Sequence, residues 1–146
     1  MFLSFTGQDT RNGFTGYLYK ALTDRGIHTF IDDEELQRGE KIMPSLVKAI
    51  AETRIAILVF SKNYAFSSFC LDELVHILDL IREKGRLVLP IFYDVDPSDV
   101  RHQRGSYREA LDRHDERFQT DKEKVQKWRI ALSQAADLSG YHFKHG

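Results

Sequence analysis

Residues 54–60 read RIAILVF, and a strand that is apolar at almost every position has to be covered on both of its faces. A sheet with one wet face would alternate apolar with polar residues, so this run predicts a central strand of a parallel sheet with helices on either side. The rest of the chain supplies matching parts. MFLSF at residues 1–5 is a short strand ending near Gly7, and Phe14, Leu18, Ala21 and Leu22 then recur at helical spacing until Gly26 stops the pattern. IHTFI at 27–31 is a second strand, followed by the polar DDEELQRGEK and a helix over residues 44–53 carrying Leu46, Val47 and Ile50. A helix over residues 67–84 follows the central strand. RLVLPIFYDV is the fourth strand, in which Pro90 predicts interrupted pairing. Helices over 106–118 and 123–138 and a last strand in GYHF complete the order. Strands alternating with helices require parallel crossovers. The expected fold is therefore α/β, a flavodoxin-like three-layer sandwich around a five-stranded parallel sheet of order 2-1-3-4-5.

The helix over 67–84 contains SSFCLDEL and raises a question about one carboxylate. At about 100° per residue, Cys70, Leu71, Leu74, Ile77, Leu78 and Ile81 share a broad apolar face. Asp72, His76 and Asp79 fall opposite, as solvent-facing residues should. Glu73 instead falls beside Leu80, Ile77 and Cys70, at the edge of the face that packs on a core. In open α/β sheets ligands collect beyond the carboxyl ends of the strands, and Glu73 lies just after one such loop, SKNYAFSSFC. A half-buried carboxylate is costly unless paired or protonated, which leaves two readings: a structural ion pair or loop cap, or a functional acid or hydrogen-bond acceptor.

Charge and motifs exclude several functions. Lysine and arginine number 21 against 22 aspartate and glutamate, a net charge of -1 that gives no general attraction to nucleic acid or acidic membranes. The stretch 101–129 is rich in basic residues with Tyr107, Phe118 and Trp128 interleaved, but acidic residues are mixed in throughout. It reads as a solvated helical face, with Trp128 turned to the core alongside Val125, Leu132 and Ala136. SFTGQDT at the end of the first strand is a poor phosphate cradle, because Asp9 would repel the anion. A phospho-accepting receiver would need acidic residues where Thr6 and Ser61 stand. No Walker loop, GxGxxG, HExxH or paired-cysteine motif occurs, so neither a metal nor a tightly bound cofactor is expected. The single cysteine, Cys70, has no intrachain partner and reads as a small buried hydrophobe. With neither a signal-peptide pattern nor a membrane-spanning apolar run, the expected location is the cytoplasm, the nucleus being left open as a second compartment.

FLSFTGQDTRNGFTGYLYKAL, GIHTFIDDEELQRGEKI, SKNYAFSSFCLDEL, LPIFYDVDPSDVRHQRGSY and LSGYHF, taken together and in order, closely resemble the TIR domain of plant intracellular immune receptors of the TIR-NB-LRR type. The resemblance covers nearly the whole chain. It implies a domain that cleaves NAD⁺ or NADP⁺ at the nicotinamide N-glycosidic bond, in immune and cell-death signalling, with the dinucleotide as substrate. The family's catalytic glutamate falls in its C-L-D-E-L motif, which here makes Glu73 the catalytic residue. Arg11 and Gly7 of the first loop, Arg38 and Gly39 of QRG, and Phe69 and Cys70 are implied substrate contacts, with Phe69 stacking on adenine.

Two positions depart from the family pattern. Thr6 stands where most members have arginine, and Phe69 where many have tryptophan, a smaller ring without an indole N–H. The resemblance further implies homotypic self-association into a dimer or tetramer, with the loop after strand two completing a neighbour's pocket and the first helix making another contact. Gly16 and Tyr17 stand where some members carry a Ser-His pair on that helix. NB-ARC and LRR regions are the implied neighbours in a longer receptor, and a downstream immune receptor the reader of the product. The chain reads as a single domain over residues 1–146, trimmed at both ends and missing its final helix. The competing reading is a non-enzymatic scaffold that works through TIR-TIR contacts alone.

Overall fold

The computed structural model describes residues 1–6, 13–31, 44–138 and 140–143. Strand β1 (Phe2–Ser4) leads to helix α1 (Phe14–Asp24), and β2 (Phe30–Ile31) to α2 (Pro44–Glu52). Strand β3 (Ile55–Phe60) is followed by a 3₁₀ turn (Tyr64–Phe66) and α3 (Ser68–Lys84). After β4 (Leu87–Tyr93) come α4 (Pro97–Arg101), α5 (Ser106–Arg117), α6 (Lys122–Ala136) and β5 (Tyr141–Phe143). The described strands form one parallel sheet of order β2-β1-β3-β4-β5, the expected arrangement.

The apolar run of β3 resolves into two interleaved faces. Ala56, Leu58 and Phe60 join the larger core with Phe2, Ile50, Leu71, Leu74 and Trp128, while Ile57 and Val59 join Leu3, Phe5 and Ile91 on the other side. Phe14, Leu18 and Leu22 of α1 cover that second face. β3 thus pairs with β1 on one edge and β4 on the other and is dry above and below.

Helix boundaries follow local chemistry. Ser67 caps α3, its hydroxyl accepting from Cys70 N–H at 3.1 Å. Gly85 ends the same helix at φ 60°, where its N–H donates to Ile81 O at 2.8 Å. Helix α4, to which no sequence expectation is attached, begins on Asp96, whose Oδ1 accepts from Ser98 N–H at 2.8 Å, with Pro97 in the first turn. Strand β2 is shorter than the run IHTFI because Ile27 N–H donates to Leu22 O at 2.9 Å, so that residue closes the end of α1.

Pro90 does not interrupt β4, contrary to the sequence expectation. The ladder with β3 runs through it, Pro90 opposite Leu58. The Pro90 carbonyl oxygen faces Gly140, where an added Cβ would lie 2.0 Å from it. In a strand the N–H and C=O of one residue point to the same side, so the missing donor falls on the β5 edge. Pairing with β5 begins only at Ile91, and no bond to β3 is lost.

Candidate active site

The carboxyl ends of β1 and β3 meet the loop 61–67 and the first turns of α3. Two buried side chains of α5 hold that loop. Tyr107 Oη donates to Ser61 O at 2.7 Å, and His114 Nε2 lies 2.8 Å from Ala65 O. The two are seven positions apart, about two helical turns, so one face of α5 holds the loop at its start and at its 3₁₀ turn. Burial lowers the His114 pKa, favouring the neutral imidazole, and because a carbonyl can only accept, the proton sits on Nε2.

Tyr64 lies under the same turn, fully buried, with its ring edge-on to Phe60 at 5.0 Å. Its hydroxyl is 2.8 Å from Ser4 Oγ and donates to Cys70 O at 3.3 Å. Burial above all, with smaller contributions from Cys70 and Glu73, holds the Tyr64 pKa well above the usual tyrosine range, so the phenol stays protonated. Cys70, 1% exposed, donates from Sγ to Phe5 O at 3.5 Å. Consecutive residues of the first strand segment therefore fasten Cys70 twice, Ser4 through Tyr64 and Phe5 directly.

Glu73 follows one turn later and is 2% exposed, deeper than the edge position its spacing suggested. It stands three positions after Cys70 on the same side of α3 and adds a smaller upward push to the Tyr64 pKa. Phe69 is 7% exposed and belongs to the main core, so its ring packs on protein here, and stacking on a base would require it to leave that packing. Glu73, Phe69 and Cys70 are thus brought together at the start of α3. Gly7, Arg11, Arg38 and Gly39 lie outside the described residues.

Asp72 corrects the expectation of a solvent-facing residue. Its Oδ1 accepts from the indole N–H of the buried Trp128 at 2.9 Å, and Lys124 Nζ stands 4.0 Å from Oδ2. Partial desolvation raises its pKa, opposed by the indole hydrogen bond and by Lys124. Ser4, Tyr64, Tyr107 and His114 went unrecognised as site-building residues. One available signal was the hydroxyl of Ser4 inside an apolar strand, which calls for a buried partner.

The likeness to known proteins agrees with this architecture. The family model described as TIR domain matches residues 1–146. The chain is 54% identical over 142 residues to Disease resistance protein RPV1 of Vitis rotundifolia, covering 97% of this chain and 10% of that protein. It is 51% identical over 140 residues to TMV resistance protein N of Nicotiana glutinosa, covering 96% of this chain and 12% of that protein. The chain thus spans only about a tenth of the length of these curated relatives. Among solved structures, it matches the TIR domains in the "activated Roq1 resistosome directly recognizing the pathogen effector XopQ" with a TM-score of 0.90 and 50% identity, covering 97% of this chain and 85% of that one. Sheet order, motif order and identity over almost the full length agree, and the chain belongs to the TIR domain family.

Proposed function

We propose that this domain is an NAD(P)⁺ nucleohydrolase that works after self-association, releasing nicotinamide in plant immune and cell-death signalling. The observation that carries the reading is Glu73, a carboxylate seated among buried groups where the C-terminal ends of β1 and β3 meet α3. Departure of nicotinamide builds oxocarbenium character on the ribose. A fixed carboxylate gains strength against that charge in a desolvated setting and can hold the ribose hydroxyls. Nicotinamide leaves as a neutral ring, so one carboxylate can suffice without a second acid. Arg11 and Arg38 are proposed to meet the phosphates, Gly7 and Gly39 to let backbone approach, and Cys70 to line the pocket. The relatives' far greater length supports placing the domain in a larger receptor. NB-ARC and LRR regions are its proposed neighbours there, and a downstream immune receptor the proposed reader of the product. The assembled state of the Roq1 TIR domains supports self-association as the activating step.

One observation favours the scaffold reading instead: Glu73 and Phe69 are only 2% and 7% exposed. On that reading the loop DDEELQRGEK docks copies of the domain without turnover, and a Glu73 and Phe69 this closed to substrate serve packing. The deciding experiment is nicotinamide release from NAD⁺ and NADP⁺ by the purified domain and by Glu73→Gln. Turnover by the parent that falls at least about a hundredfold in Glu73→Gln supports the enzyme. Turnover equal in both, or absent from the assembled parent, removes it.

A further inference from the structure

Three hydroxyl and carbonyl groups, one from β1 and two from the loop and helix start that follow β3, form one directed line beneath the first turn of α3. The Cys70 carbonyl can only accept, so the single Tyr64 proton is committed to it at 3.3 Å. The Tyr64 oxygen then has lone pairs to offer, and Ser4, 2.8 Å away, is its donor. The order is Ser4 Oγ–H to Tyr64 Oη–H to Cys70 C=O, running from the sheet to the helix. All three residues are at most 1% exposed, so water does not replace these bonds if they break.

Resting on the catalytic reading of Glu73 given above, we propose that Tyr64 is the positioning residue for that carboxylate, the brace that sets the first turn of α3 against β1. Cys70 and Glu73 are three positions apart, on one side of the helix, so a shift at the Cys70 carbonyl is carried to Glu73. The Tyr64 ring is fixed by Phe60 and its main chain lies in the loop gripped by α5. Its hydroxyl therefore has a stiff support on the protein side and one adjustable partner, the helix. The role is one of geometry: Tyr64 exchanges no proton with substrate.

The test uses Tyr64→Phe, which keeps the ring and removes only the brace. Cys70 is the only cysteine in the chain and is 1% exposed, so its rate of reaction with a disulfide reagent reports opening of this turn without any substrate. Tyr64→Phe should raise that rate about three- to tenfold. In the same protein kcat for nicotinamide release should fall about ten- to a hundredfold at nearly unchanged KM. Ser4→Ala should act in the same direction, and the double variant should be little worse than Tyr64→Phe alone, because both cuts break one line. Val125→Ala, in the buried face of α6, supplies a general loss of stability for comparison and should leave kcat and local labelling unchanged. Labelling and kcat in Tyr64→Phe that match Val125→Ala at equal thermal stability would overturn the brace. If the parent has no turnover, the catalytic reading of Glu73 fails, and labelling alone still decides whether Tyr64 holds the turn.

Discussion

The indole N–H of Trp128 on α6 donates to the Asp72 carboxylate on α3 at 2.9 Å, tying together two helices whose contacting residues are 56 positions apart. Trp128 is 1% exposed and also meets Phe118 and His114 edge-on, at 5.5 and 5.0 Å. Asp72→Ala should cost about 1–3 kcal/mol, since it leaves a buried donor without its acceptor. Asp72→Asn keeps an acceptor oxygen and should recover much of that loss. Denaturant midpoints at constant m-value measure both, and an Asp72→Ala protein as stable as the parent would show the bond to be dispensable.

Acidification should weaken the grip of α5 on the loop before α3. Burial lowers the His114 pKa, while the Ala65 hydrogen bond and Asp115 act upward and Arg129 downward. Below the ordinary histidine value of about 6.5, the unfolded chain therefore binds the proton more readily than the folded one. The stabilisation is complete above that pH and is lost as pH falls through it toward the folded value. Asp72, whose pKa is raised, has the opposite sign and supports the folded state at lower pH. His28, His76, His102 and His142 are exposed and common to parent and variant. Thermal stability of His114→Gln should thus fall less steeply below pH 6.5 than that of the parent, and parallel curves would rule out this titration.

Gly140→Ala should destabilise the β4–β5 edge. The new methyl would stand 2.0 Å from the Pro90 carbonyl oxygen and 2.9 Å from its carbon, both main-chain atoms that cannot turn aside. A cost of about 1–3 kcal/mol or more is expected, with faster amide exchange at residues 141–143 than elsewhere in the sheet. Unchanged exchange there would mean that β5 tolerates a side chain at its entrance.

Turnover should depend on assembly if a neighbour completes the site. Specific activity is then expected to rise from nanomolar to high micromolar protein, or with crowding, as copies associate. Replacing Gly39 with a larger residue should hold activity at the dilute level at every concentration while leaving the fold intact. Constant specific activity with an indifferent Gly39 variant would mean that each copy carries a whole site.

Local pattern alone was enough for the sheet. The apolar RIAILVF demanded cover on both faces, and the strand and helix periods gave parallel crossovers and the span of α3. Glu73, Phe69 and Cys70 are also legible in the sequence, the first as a misfit in a helical period and all three by resemblance. What a period reports is which face a residue occupies, and not which element will pack on it. Asp72 was therefore legible as opposite the apolar stripe but not as the partner of Trp128. Pro90 was legible as a missing donor but not as one turned to the β5 side, where pairing begins only at Ile91. The links that build the site, Ser4 to Tyr64 across 60 positions and Tyr107 to Ser61 across 46, exist only once the sheet and α5 are packed. Hydrogen-bond partners at such separations are chosen by the tertiary arrangement, because a buried polar group must be satisfied by whatever donor or acceptor the packing brings within about 3 Å.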